Sequence, residues 1–588
     1  MTQHLPRSPQ DTGLRPRTPR GSADRLRSQR GAAAGTLVTL LLALVLIGLG
    51  AWLFLRRTPA PLAAAGSGPG AAAAPAAAGA ARAPAGKVPA PIEPVAGLPP
   101  LAPAAPYLVK DGVVEVDLSE YAGYGGLIVA NGGLEPSAES FFFKNYGFKV
   151  KLSVGEGETW SQLNNGRFAA SATTTDVLAV QGRAFQVVVP VQIGWSRGAD
   201  MLVVDAGVTT VNKLAGKVLA ASQFNEAEFF LRYLAREAGL KVRVLRDLDG
   251  RPEPGEVGLV FYEDANAGCT AYQAELAGAR RLQGCVGWSP RTDEVIEASA
   301  GRAKALVTNK NLLVVADILT VNKGFAEQNP KLVRGLVHGL LEGNRRLRDE
   351  QSANLAVVAR AFKWSEAEAS AQLAKVHLAN LPESRAFFGG TIDAAGSFGG
   401  IFQSSVLAYG DLIKNPADPA RYLDLSHLEA IAKEGLFAGQ VVAIAPIKTA
   451  GGGSLEGDPL LSKDIRFFYE PNSARLDEKE PRNVEFLDAV KQFLQVSPGS
   501  VVVLRGHVDN AKVADFRKQG GEELVRAMGL KAMELSRQRA VGVREALLKR
   551  HPKLDPRRLE AVGRGWEEPV GPDGNLNRRV EVQWFTLE

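Results

Sequence analysis

Histidine, cysteine and the short signatures of catalysis are scarce in this 588-residue chain. Its six histidines are His4, His338, His377, His427, His507 and His551. None stands at metal-site spacing, and there is no Gly-x-Ser-x-Gly elbow and no phosphate loop. The expectation is a non-enzyme with no catalytic residue, no metal and no cofactor. Cysteine appears twice, as Cys269 and Cys285. In an exported domain, two cysteines bracketing a loop predict a disulfide; with no His nearby, a two-Cys metal site is disfavoured. Charge of one sign is also lacking through most of the chain. The formal net charge is +6, from 69 basic and 63 acidic residues. Residues 1–30 hold seven Arg against Asp11 and Asp24, so +5 of that excess sits in the tail. The rest is close to neutral, and nucleic acid is not an expected partner.

The composition is uneven. Residues 1–35, rich in Arg, Pro, Ser and Gly, predict a disordered tail. Thr36 to Leu55 is an uncharged apolar run of twenty residues, closed by Arg56 and Arg57. At ~1.5 Å per residue it reaches ~30 Å, the thickness of a bilayer core. The arginine excess before it predicts a single-pass inner-membrane anchor with a cytoplasmic N-terminus and a periplasmic bulk. A cleaved signal peptide is the alternative, since Ala-rich sequence follows Leu62. Residues 56–106 are mostly Ala, Pro and Gly and predict a linker, spanning ~40 Å as a flexible coil and up to ~150 Å if polyproline-like.

Residues 107–440 alternate strand-like and helical runs. Leu127–Ala130, Lys149–Val154, Val187–Pro190, Met201–Val204 and Val218–Ala221 read as buried strands, Ser137–Tyr146 as a helix, and 331–380 as largely helical. This predicts an α/β domain with mostly parallel sheets, of a size for two lobes and a cleft. Candidate cleft residues are Thr173, Thr174 and Thr175, which offer hydroxyls and backbone N–H groups at a strand end, and Ser196 and Arg197, which add a donor and a charge. Ser222 precedes a helix N-terminus, and Trp288 could form a wall. Asn131 and Asp176 complete the set, which suits a small anion or zwitterion. Each also has an ordinary role: Thr runs cap helices, Arg197 fits an exposed charge, Trp288 fits a core, and Asn131 and Asp176 fit turns.

The phrases Ser196-Arg-Gly-Ala-Asp200-Met-Leu-Val-Val204 and Leu214-Ala-Gly-Lys-Val218 resemble the solute-binding proteins of nitrate-, sulfonate- and taurine-type ABC transporters. Phe168–Val177, Val286–Pro290 and Phe325–Pro330 are similar to the same family, over nearly all of 120–435. The resemblance implies a two-lobed periplasmic-binding-protein fold, a small-molecule solute, and an ABC permease or another envelope complex as partner. Enzymes of thiamine-pyrimidine synthesis share that fold but depend on a histidine and a Cys-rich segment that are not evident here.

Beyond a spacer at 441–459, with Ala450-Gly-Gly-Gly-Ser454 at its centre, residues 460–588 predict a small α+β domain. Val501–Leu504 reads as a strand, Leu535–Lys549 as a helix, and the stretch from Arg579 as a terminal strand. Arg505-Gly-His-Val-Asp509, Leu535-Ser-Arg-Gln-Arg-Ala540 and Asn577-Arg-Arg-Val-Glu581 together resemble the OmpA-like peptidoglycan-binding family. The resemblance implies that Asp509 and Arg539 hold the diaminopimelate of a peptidoglycan stem peptide, with Asn577 and Arg578 nearby. An Arg fork grips a carboxylate and an Asp accepts from an ammonium; an internal Asp–Arg salt bridge is the plainer alternative. The chain departs from the family at Val508, where Thr is usual, at Ala532, where Asn is usual, and in a longer segment between Asp509 and Ser536. The expectation is a membrane-anchored receptor or sensor that binds a solute and peptidoglycan, or else a structural membrane-to-wall tether.

Overall fold

Runs of Val, Ile, Leu and Ala become strands wherever both faces of a sheet are covered. In chain order these are β1 (Val113–Leu118), β2 (Lys149–Val154), β3 (Ala170–Thr174), β4 (Val187–Ser196), β5 (Asp200–Asp205) and β6 (Val218–Ser222). There follow β7 (Lys241–Val244), β8 (Glu256–Tyr262), β9 (Gly284–Trp288), β10 (Ala303–Thr308), β11 (Ala316–Asn322) and β12 (Val376–Leu378). The C-terminal strands are β13 (Leu461–Ile465), β14 (Ser500–Gly506), β15 (Leu559–Gly563) and β16 (Val580–Thr586). Six helices position the sites: α1 (Gly125–Asn131), α2 (Thr175–Gln181), α3 (Glu226–Glu237), α4 (Pro330–Asp349), α5 (Pro481–Val496) and α6 (Val513–Arg550). The computed structural model describes residues 88–155, 159–310, 312–392, 395–444, 459–469 and 474–586. The arginine tail, the apolar run 36–55, the linker up to residue 87 and the Gly-rich spacer 450–454 lie outside them. Among the described residues no helix is long and apolar enough to cross a membrane.

Two six-stranded sheets build two lobes, in the orders β12-β4-β11-β3-β1-β2 and β10-β5-β9-β6-β8-β7. The expectation of mostly parallel sheets needs correction. β1–β2, β1–β3, β6–β8, β6–β9 and β7–β8 are parallel, whereas β11 pairs antiparallel with β3 and β4, β12 with β4, and β5 with β9 and β10. A parallel neighbour needs a long helical crossover. The joins from β4 to β5 and from β10 to β11 are short and pass from one sheet to the other instead. These two crossings connect the lobes.

A second correction concerns Leu127–Ala130, which lies in helix α1, not in a strand. Every residue of α1 is buried, and a short run apolar on all sides carries no period to separate helix from strand. The helix read over Ser137–Tyr146 starts only at Phe141, where the Ser140 hydroxyl accepts from the Phe143 N–H. Cys269 and Cys285 form the expected disulfide, with Cα atoms 5.2 Å apart.

The C-terminal sheet runs β13-β16-β14-β15, with α5 and α6 packed against it. Here α6 extends far ahead of the predicted Leu535–Lys549, with a break at Gly520–Gly521. The domain does not hang free of the lobes. The Val211 N–H donates to the Leu460 carbonyl at 2.9 Å, and the Leu313 N–H to the Val496 carbonyl at 2.7 Å. Tyr233 of α3 stacks on Phe493 of α5, centroids 6.4 Å apart, and one buried apolar cluster runs through this seam. The end of the Ala/Pro stretch is likewise bound. The Ile92 N–H donates to the Phe261 carbonyl in the second lobe, and the Ala105 N–H to the Asn164 carbonyl in the first.

Helices α1 and α4 meet backbone to backbone. A Cβ on Gly343 would lie 1.8 Å from the Gly126 carbonyl oxygen. Backbone cannot yield as a flexible side chain does, and overpacking typically costs about 1–3 kcal/mol. Gly343→Ala should therefore lower the unfolding free energy by at least that amount, seen as a lower urea midpoint. An unchanged midpoint would refute the close approach of the two helices.

Candidate functional site

Two sites emerge, one in each folded part. In the C-terminal domain, glycine brings the motifs together. A Cβ on Gly506, at the end of β14, would lie 2.0 Å from the Ser536 carbonyl oxygen of α6. Without that side chain the strand end lies against the helix that carries Arg539. The Ser536 hydroxyl accepts from the Gly565 N–H at 2.9 Å and donates to the Met533 carbonyl, which pins the adjoining loop.

Asp509 emerges just past β14. Its Oδ2 accepts from Arg578 Nε at 2.6 Å, and its Oδ1 accepts from the Ala511 N–H at 3.0 Å. Burial alone would raise its pKa; the bonds from Arg578 and Ala511 outweigh this and hold it below the usual carboxylate range. Arg539 takes a different position from the internal salt bridge weighed above. Its Nε is buried with no hydrogen-bond partner, and its guanidinium lies over the Tyr469 ring, 5.0 Å from the centroid. Burial lowers its pKa, partly offset by Tyr469 and Asp509. A buried guanidinium nitrogen without an acceptor is suited to a carboxylate brought by a ligand. Asn577 is structural: it accepts from the Val570 N–H and donates to the Gly571 carbonyl, closing a loop. Tyr469 was missed by sequence reasoning; its signal is the aromatic run Phe467-Phe468-Tyr469.

One trio, His507, Glu568 and Glu581, brings metal-ligand atom types within 4.8 Å of one another. Arg505 already engages both carboxylates, at 2.7 and 2.8 Å, so the charge a cation would supply is in place. A broad groove of about 380 Å³ runs between Ala474–Glu478 and Arg537–Lys549, but Asp509, Arg539 and Arg578 do not line it.

The second site is the cleft where the chain crosses between lobes. Its lining includes the hydroxyls of Ser119, Thr174 and Ser196, the rings of Tyr121, Tyr124 and Trp288, and the carboxylates of Asp200, Glu226 and Asp317. The cavity is about 10 Å³, close to the least that holds one water. A neighbouring part of about 40 Å³ adds Asp117, Thr159 and Thr173. Of the expected residues, Thr174, Ser196 and Trp288 meet here, with Thr173 alongside. Thr175 donates to the Ala316 carbonyl, Asn131 donates to the Gly133 and Glu135 carbonyls, and neither Arg197 nor Ser222 is in the lining.

Sequence reasoning missed Tyr121, Tyr124, Asp200, Glu226 and Asp317. Asp317 had a readable signal, being the lone charge in the apolar run Leu312–Leu319. Tyr124 donates to Asp317 Oδ1 at 3.3 Å, and Asn309 Nδ2 to Asp200 Oδ2 at 2.7 Å. Burial dominates the titration of the carboxyls. It pushes Asp117 and Asp200 up to about 6 and Asp176 up to about 7, and it raises Asp317 strongly. Asp176, in the first turn of α2, has no hydrogen-bond partner on either carboxyl oxygen, although the Thr174 hydroxyl is close enough to offset part of the rise.

A carboxyl whose folded pKa exceeds its unfolded value holds its proton longer in the native state. Stability is then lost as pH rises from the unfolded value near 4 to about 7, and regained as pH falls back through that range. Asp176→Asn removes this liability. The variant should exceed the parent in unfolding free energy by on the order of 4 kcal/mol at pH 8, with the gap narrowing at pH 5 and closing near pH 4. Equal stabilities in urea titrations at both pH values would contradict the burial of a titrating carboxyl.

Comparison with known proteins follows this division. The OmpA family model matches residues 468–583. No curated protein matches the chain. Among solved structures, the chain is similar to the alkanesulfonate-binding protein SsuA from Xanthomonas axonopodis pv. citri bound to MOPS. The identity is 15% and the TM-score 0.41, over 54% of this chain and 99% of that one. The periplasmic aliphatic sulphonate binding protein SsuA from Escherichia coli gives 14% and 0.39, over 54% and 99%. The desulfurization enzyme DSZB gives 15% and 0.36, over 55% and 99%. Residues 468–583 are thus an OmpA-family domain.

Proposed function

We propose that this chain is a non-enzymatic envelope protein that binds peptidoglycan through its C-terminal domain and a small solute between its two lobes. The observation that carries the wall-binding reading is the division of labour among Asp509, Arg578 and Arg539. Asp509 is held ionised by Arg578, while a buried Arg539 nitrogen remains without an acceptor. A stem-peptide diaminopimelate offers an ammonium for the first and a carboxylate for the second. Two lobes joined by two crossings, with a hydroxyl-rich cleft between them, support solute binding. The apolar run 36–55 with its arginines supports an inner-membrane anchor, the N-terminus cytoplasmic, and an ABC permease or another membrane complex as recipient.

A second reading has its own support. The cleft is tight, and the C-terminal domain is packed onto the second lobe, as a ligand-free tether between membrane and wall requires.

Co-sedimentation of the purified chain with sacculi tests the wall site. Arg539→Ala and Asp509→Ala should each reduce the bound fraction about tenfold, the loss of one charged hydrogen-bonded contact. Arg537→Ala, whose guanidinium pairs with Glu534, should leave it unchanged. Full sedimentation of the Arg539 and Asp509 variants would reject the site.

A further inference from the structure

The solute reading leaves the ligand's chemistry open, and the charges of the cleft narrow it. An oxyanion such as a sulfonate needs a cation or a set of N–H donors. Among the described residues lining the two parts of the cavity there is no Lys, Arg or His. Arg167 is ion-paired with Glu115, and Lys375 with Asp293. Carboxylates occupy the lining instead: Asp200 and Asp317 in the deep part, Asp117 in the shallow part, and Glu226 in both. In their ionised form these carboxyls would repel an anion, whereas a cation beside them would favour that ionised form.

Three further groups offer acceptor oxygens. Tyr121 Oη, Thr174 Oγ1 and Ser196 Oγ all belong to residues lining the deep cavity; each lies near a carboxyl, Asp317, Asp176 and Asp200 in turn, and none accepts a hydrogen bond from an N–H group. These residues are only 7%, 3% and 1% exposed. A buried hydroxyl oxygen left unpaired is costly, and a ligand N–H would satisfy it. The rings of Trp288, Tyr121 and Tyr124 add negative faces that attract a cation.

We propose that the cleft binds a compact organic ammonium ion, a protonated primary amine, whose charge is met by Asp317 and Asp200 and whose N–H groups are met by the hydroxyl oxygens of Tyr121, Thr174 and Ser196. This rests on the solute-binding reading and gives it a ligand class. The small cavity limits the closed form to a group of ammonium size; a larger amine would extend its stem toward Trp288 and Thr173. The raised pKa of Asp317, caused first by burial and then by Asp200, fits carboxyls that lack a counter-charge.

Calorimetric titration of the purified chain at pH 7.5, about one unit above the usual histidine pKa, tests this with two probe sets. One set is ethylammonium and ethanolammonium; the other is ethanesulfonate, sulfate and inorganic phosphate. The expected result is binding of the ammonium probes alone, weakened at least tenfold in both Asp317→Asn and Asp200→Asn. Sacculus binding by the same variants reports that they are folded. Binding of any oxyanion probe would overturn the ammonium assignment while leaving the solute-receptor reading standing. Silence from both sets would overturn both. Ammonium binding undiminished in the two folded variants would remove these carboxylates from the site and sink the proposal.

Discussion

The chain passes between its two sheets at 196–200 and again at 308–316, and each passage carries a carboxylate into the interior. Asp200 opens β5, and Asp317 is the second residue of β11. A β-strand at a lobe junction has no room for a long polar side chain to reach water, so these groups must be met from within. Asn309 meets one and Tyr124 the other. The neighbouring tyrosines and the hydroxyls at the ends of β3 and β4 gather around those two buried carboxyls, and their burial governs the titration of the site.

The C-terminal domain obeys a different constraint, the approach of one backbone to another. Gly506 and Gly563 end paired strands, and a side chain on either would strike α6. The contact places Asp509, Arg539 and Arg578 near one another, although they are separated by tens of residues. Once there, Asp509 and Arg578 neutralise each other, and Arg539 keeps an unmet nitrogen against Tyr469. The internal Asp–Arg salt bridge, the plainer alternative for this motif, is made with Arg578 and leaves Arg539 out.

The two sites share one folded body. The C-terminal sheet is sealed to the second lobe by Tyr233, Phe493 and Trp584. The last part of the Ala/Pro segment is hydrogen-bonded to both lobes. Composition marks both segments as linkers because Ala, Pro and Gly carry little side-chain information. Backbone N–H and C=O groups can still be bound by a neighbouring surface.

Much was legible from residues alone. The α/β middle, most of its strands, the pairing of Cys269 with Cys285 and the three C-terminal motifs are local or patterned features. Thr174, Ser196 and Trp288 were identified because hydroxyls and an aromatic at strand ends are distinctive. Tyr121, Tyr124, Asp200 and Asp317 were not, because they meet only after two crossings bring distant segments together. For the same reason the sequence displayed Arg197 beside Ser196 but not that the cleft would leave that arginine out of its lining. By itself, then, the sequence determined which segments fold as strands and helices and which motif residues end the C-terminal strand and helix, because these depend on side-chain period and backbone preference. Only the tertiary structure decided which ionisable side chains line the cleft and which arginine Asp509 pairs with, because both depend on distances between residues far apart in the chain.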